Sequence, residues 1–150
     1  MLPASAAGQY GDLDVGAALF AGLAAWQIFA SAAQTSAPKA IVEQLLNEQL
    51  AGSPDREVLM LTVEYPPGAA SLPHRHDAQV FVYVLEGEVK MQVAGGPEVT
   101  LRRGQTFYEG PQDVHTVSAN AGNAAAKILV FIVKNKNSPV SRDVAPRGGP

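Results

Sequence analysis

Cysteine is absent from this chain of 150 residues. That removes disulfide scaffolds, thiolate zinc sites, iron–sulfur clusters and thiol nucleophiles together. Positive charge is scarce as well: eleven Lys and Arg stand against fourteen Asp and Glu, for a net charge of −3. The basic residues are scattered, so nucleic acid is not expected as a partner. The sequence contains no Walker loop, no dinucleotide glycine fingerprint and no G-x-S-x-G, which sets aside nucleotide enzymes and serine hydrolases. Histidine is limited to three positions, His74, His76 and His115.

What is present suits one globular domain. Hydrophobic residues make up 47% and charged residues 17%, a balance that can fill a core at this length. Fourteen Gly and eleven Pro fall between apolar runs without a fixed period, as the turns of an all-β domain do. Strands are expected at Glu57–Tyr65, Gln79–Leu85, Glu88–Val93, Glu98–Leu101, Gln105–Tyr108, His115–Ser118 and Lys127–Val133. Their β-branched and aromatic content, separated by Gly and Pro turns, indicates a sandwich or barrel. Ala40–Leu50 (AIVEQLLNEQL) is the exception: apolar residues at 41, 42, 45, 46 and 50 give it helical periodicity.

The ends read differently. Residues 1–38 hold no Lys or Arg, and Val15–Ala33 is almost wholly apolar or small. Ala30-Ser31-Ala32 is a small-x-small triplet, so an export signal cleaved before Ala33 is one expectation, placing the protein in the periplasm or outside the cell. The same run just reaches the length of a membrane anchor, or forms a helix packed on the domain, which would leave the protein cytoplasmic. Asp12 and Asp14 stand where a signal peptide would be positive. Residues 135–150, with three prolines and two adjacent glycines, read as a frayed tail without chemistry. The folded domain is thereby bounded at 39–134.

His74 and His76 form an H-x-H pair (PHRH). Alternate side chains of a strand share a face, so the two imidazoles can meet one ion. The third candidate ligand is His115, which opens a strand after a Gly/Pro turn. Imidazole sites with open positions suit Fe, Mn, Cu, Ni, Co or Zn.

The spacing around these residues resembles the cupin superfamily, in its small single-domain form. Gly68, AASLP, His74-Arg75-His76, Asp77-Ala78-Gln79, Val80 and, after FVYVLE, Gly87 follow the first cupin motif. Gly104, QTFYE, Gly110-Pro111-Gln112, Asp113-Val114 and His115 keep the Gly-to-His spacing of the second. The resemblance covers about Glu57 to Val133. It implies a double-stranded β-helix, or jelly-roll barrel, with a non-barrel N-terminal segment, and it makes Ala40–Leu50 an opening strand or hairpin. It also implies a divalent transition metal held by His74, His76 and His115, a small-molecule ligand or substrate, and pairing into a homodimer through outer strands.

Departures from the motifs bear on the chemistry. The first motif's Glu, usually a fourth protein ligand, is Val80 here. Gln79 is one residue short of that place and would reach the metal, as a weak neutral ligand, only if a bulge turned it inward. The second motif's closing Asn falls on Ala119, with Asn120 adjacent. Phe81, Tyr83, Phe107 and Tyr108 are expected to line a pocket or pack in the core or a dimer contact. Glu109 and Asp113 are exposed turn carboxylates, acid–base groups, or partners that orient an imidazole. Two functions follow as expectations: a metal-dependent, dioxygenase-like enzyme acting on a small organic molecule, or a non-catalytic module that stores or senses one.

Overall fold

The computed structural model describes residues 37–144. The apolar N-terminal run, with its export, anchor and packed-helix readings, lies outside the described residues, as do the last six. Among the described residues no helix is long and apolar enough to cross a membrane.

The described chain is ten strands: β1 (Ile41–Gln49), β2 (Arg56–Tyr65), β3 (His74–Arg75), β4 (Ala78–Glu86), β5 (Glu88–Val93), β6 (Val99–Arg102), β7 (Thr106–Glu109), β8 (Val114–Asn120), β9 (Ala126–Asn135) and β10 (Arg142–Asp143). They form two five-stranded sheets, ordered β1-β2-β9-β4-β7 and β10-β3-β8-β5-β6. Every pairing is antiparallel. All the expected strands are present: four are longer by one to three residues, β5 is as expected, and β6 and β7 are shifted by one. This is the all-β, double-stranded β-helix architecture that the motif spacing implies.

Alternation decides what each sheet buries. In β4, Ala78, Val80, Val82 and Val84 are buried while Gln79, Phe81 and Tyr83 face solvent. In β9, Ala126, Ile128, Val130 and Ile132 point inward. The other sheet contributes Val89, Met91 and Leu101, and these side chains belong to one continuous core cluster. Burial of such side chains stabilises the fold by about 1.5–3 kcal/mol each. The tight turn from β4 into β5 depends on Gly87, whose φ is +70°. A Cβ there would lie 2.8 Å from the carbonyl oxygen of Ala125, so only glycine fits both the conformation and the space.

Ala40–Leu50 is not a helix. It is β1, paired with β2 through a bulge that leaves Leu45 without a partner between Gln44↔Leu61 and Leu46↔Met60. The extra residue shifts the side-chain alternation by one, and every residue of β1 is exposed, so no buried face imposes a period of two on its sequence.

The segment from Asn135 is not frayed along its whole length. Asn137 takes a left-handed conformation at φ 63° in the turn after β9. The chain then returns to the barrel, where β10 pairs with β3 in the register Arg142↔Arg75 and Asp143↔His74. Arg142 Nε also donates to Asp77 Oδ2 at 2.8 Å. Lack of hydrophobic periodicity conceals this docking because backbone pairing and one ion pair hold it, not an apolar face.

Candidate metal centre

The three histidines come together at the junction of the two sheets. His74 and His115 are direct cross-strand partners on β3 and β8, so their side chains leave the same face. His76 follows β3 by one residue, at the joint where the chain leaves one sheet for β4 in the other. A second bulge aims His115. Between β5 and β8 the register passes from Gln92↔Val117 to Val93↔His115, leaving Thr116 without a partner. The bulge lets His115 and Ser118 both face inward although an odd number of positions separates them.

The ring centroids of His74 and His76 lie 5.0 Å apart, and those of His74 and His115 lie 5.2 Å apart. Two imidazoles sharing an ion through N–metal bonds of about 2.1 Å hold their centroids roughly 4.5–5.2 Å apart. Two of the three ring pairs are therefore at ligating separation, although among the described residues no group of three His, Asp or Glu side chains is placed to hold an ion as it stands.

Hydrogen bonding fixes which nitrogen each ring presents. His74 Nδ1 lies 2.7 Å from the carbonyl oxygen of Leu72, and His76 Nδ1 lies 2.5 Å from that of Val140. His115 Nδ1 lies 3.1 Å from Glu109 Oε1. The carbonyl partners are acceptors, so Nδ1 carries the hydrogen in His74 and His76 and Nε2 keeps its lone pair, and the Glu109 carboxylate favours the same Nδ1–H form in a neutral His115. Two buried polar side-chain atoms among the described residues lack a hydrogen-bond partner, His115 Nε2 and Glu109 Oε2, and both belong to this cluster. Leaving such atoms unpaired ordinarily costs about 1–3 kcal/mol each. A set of lone pairs with anchored Nδ1 atoms fits a divalent transition metal by its donor chemistry. Burial is the main reason His74 titrates below its ordinary value of 6.5, and the neighbouring His115 and His76 push the same way. The hydrogen bond to Leu72 and the charge of Glu109 oppose that shift.

The cluster opens on a cavity of about 920 Å³ inside the barrel. Its walls are mainly apolar, with Leu61, Val63, Val82, Met91 and Ile128 among them. The polar exceptions include Tyr65 and Ser118, whose hydroxyl oxygens are 2.6 Å apart. Val140, Ser141 and Asp143 of the returning segment also border it.

Not every expected site residue arrives. Gln79 is exposed and sits in regular register with Val133. The irregularity in β4 falls between Val84 and Glu86 instead, so nothing turns Gln79 inward and it is not a ligand. Val80 is buried and carries no donor to the cluster. Glu109, in contrast, is only 2% exposed and faces the cavity. On the same face of β7, Phe107 stacks on His115 at 5.9 Å. Asp113 is a turn residue, its Oδ2 accepting from Gly110 N at 2.7 Å. Phe81, Tyr83 and Tyr108 lie outside the barrel, 43%, 44% and 52% exposed, and with Phe131 they line an outer groove of about 520 Å³. The carbonyls of Leu72 and Val140 have no side-chain signal, so only the folded chain identifies them. Burial of Glu109 was legible in principle, since it alternates with Phe107 on a strand whose inward phase the histidine region sets.

Comparison with known proteins agrees with this fold. Residues 61–132 match the family model described as a cupin domain. Solved structures with the same fold include the DMSP lyase DddQ from Ruegeria pomeroyi, 20% identical at a TM-score of 0.60, covering 73% of this chain and 54% of that one. A cupin domain from Bordetella pertussis is 21% identical at a TM-score of 0.53, covering 66% and 97%. Oxalate oxidase in complex with glycolate is 24% identical at a TM-score of 0.56, covering 70% and 55%. The chain spans about half the length of the lyase and of the oxidase. Among curated protein sequences nothing matches. Strand order, motif spacing and the family match agree that residues 61–132 form a cupin domain.

Proposed function

We propose that this protein is a metal-dependent cupin in which His74, His76 and His115 hold one divalent transition metal through Nε2, with a small organic molecule bound beside it in the barrel. The observation that carries this reading is the common anchoring of the three Nδ1 atoms, each on an acceptor, which leaves three lone pairs in one cluster. Cupins commonly bind a transition metal, and cupins of known structure include the DMSP lyase and the glycolate-bound oxalate oxidase, whose ligands are small organic molecules.

A metal bound here supplies Lewis acidity and, if redox-active, electron transfer. The chain itself supplies geometry and dryness. Val80 and Val82 exclude water on one side, and the Tyr65–Ser118 hydroxyl pair offers the ligand a hydrogen bond. A mainly apolar wall with polar side chains beside the histidines suits a compact organic molecule carrying a chelating oxygen. The reaction class that suits this site is oxidation by dioxygen.

Protein loaded in turn with Fe, Mn, Cu, Ni and Zn is compared with the His74→Ala, His76→Ala, His115→Ala triple variant. One stoichiometric metal in the native chain and none in the variant is expected, with oxygen uptake on a panel of catechols, flavonols and diketones. Stoichiometric metal without uptake by any loaded form would turn the reading to a non-catalytic storage or sensing module. No metal in either would overturn it. The exposed aromatic face of Phe81, Tyr83, Tyr108 and Phe131 supports a homodimer, and a monomeric mass by light scattering would reject that. Export through the N-terminal apolar run predicts a native chain beginning near Ala33 by intact mass.

A further inference from the structure

Glu109 is the group that the preceding reading leaves unused. It lies opposite Val80 in the β4–β7 register, so the two side chains share the inward face. Val80 is 1% and Glu109 2% exposed. The position where the first motif's carboxylate is missing and the position that carries a buried carboxylate are therefore cross-strand neighbours.

The contacts say what that carboxylate does. Oε1 meets His115 Nδ1 at 3.1 Å, while Oε2 has no partner. Nδ1 and Nε2 look to opposite sides of an imidazole ring, so a carboxylate on Nδ1 stands behind the ring and not beside an ion on Nε2. A buried carboxylate with a single hydrogen bond is costly unless a positive charge lies close. Among the described residues no Lys or Arg pairs with Glu109. Phe107 stacks on the same ring, so β7 holds His115 by one face and one edge.

Resting on the three-histidine reading, we propose that Glu109 is the positioning carboxylate of the metal centre. It fixes His115 in its Nδ1–H form and supplies, from across the strand pair and one step further from the ion, the negative charge that Val80 cannot. The centre thereby keeps one carboxylate while an extra coordination position stays open for ligand. Carboxylates that orient metal-bound imidazoles change metal affinity by about 10–100-fold when removed.

The test uses the full chain with Zn²⁺ alone as probe, in competition with a chromophoric chelator, together with long-range ¹H–¹⁵N spectra of the metal-free histidines above the imidazole titration range. Glu109→Ala is expected to weaken Zn²⁺ binding by about 10–100-fold and to release His115 from its single Nδ1–H tautomer. Glu109→Gln keeps an acceptor for Nδ1–H and loses the charge, so it should hold the tautomer and fall between wild type and Glu109→Ala in affinity. Where the Ala variant fails to fold, the Gln variant carries the test. Native affinity together with an unchanged His115 tautomer in both variants would make the pair merely structural and overturn the proposal. Loss of an oxygen ligand from the Zn²⁺ X-ray absorption spectrum of Glu109→Gln would make Glu109 a direct ligand, and would also overturn it. His74→Ala separates the two readings: it should abolish Zn²⁺ binding while leaving the His115 tautomer intact. If wild type takes no Zn²⁺, the three-histidine reading fails and the tautomer alone judges Glu109.

Discussion

At the scale of single residues the protein is governed by a few polar groups placed where apolar ones belong. His74 is the clearest case, held below an ordinary value of 6.5 chiefly by burial. As pH falls through 6.5, the unfolded chain takes up this proton before the native one does. Stability attributable to His74 is therefore complete above that value and is lost between 6.5 and the lower native value. Urea-unfolding midpoints of the metal-free protein should begin to drop as pH falls through 6.5. The step should flatten in His74→Gln. A midpoint that rose on acidification through the window would contradict the account. Lys134 is a second case, buried at 5% exposure, bonded to Glu57 and to the carbonyl of Ser138 at 2.8 Å. Removing one partner strands a buried charge, so Lys134→Ala should cost about 3–5 kcal/mol, whereas Glu57→Gln with Lys134→Met should cost far less. Equal losses in the two, measured by chemical denaturation, would show that the pairing is not the source.

Elements are where sequence and structure part company, and bulges and backbone carbonyls account for most of it. Strands with clean alternation, such as β4 and β9, were legible because burial on one face writes itself as a period of two. β1 was legible only through the family resemblance and not through periodicity, because all its residues are exposed and a bulge at Leu45 breaks its alternation. β10 was not, because two residues held by backbone hydrogen bonds leave no pattern of side chains. The histidines were legible through their motif spacing. Their Nδ1 partners at Leu72 and Val140 were not, since any residue can offer a carbonyl. This gives the returning segment a function that its composition conceals. Its Val140 carbonyl holds His76, and β10 pairs with the strand carrying His74. A chain ending at Asn137 should keep the β-sheet circular dichroism signal of the full protein yet bind Zn²⁺ about 10–100-fold more weakly, the usual consequence of losing an outer partner of a metal-bound imidazole. Calorimetric titration giving unchanged affinity would remove the segment from the site.

For the whole molecule, the two sheets do different work. The sheet ordered β1-β2-β9-β4-β7 provides most of the apolar wall of the cavity and, at its end, Glu109 and Phe107. The other carries His74 and His115 on adjacent strands, and His76 stands where the chain passes between the two. The histidine cluster therefore forms only when the sheets face each other, and its rings are brought together by long-range pairing and not by local sequence. That arrangement predicts that metal binding stabilises the whole barrel, by an increment that grows with free metal concentration. It also makes the central claim accessible to a single observation. Crystals of the full chain grown with Co²⁺ should show, in data collected at the cobalt edge, one anomalous peak per chain about 2.1 Å from Nε2 of His74, His76 and His115. A peak elsewhere, or rings that stay unligated beside an empty centre at saturating Co²⁺, would contradict the account.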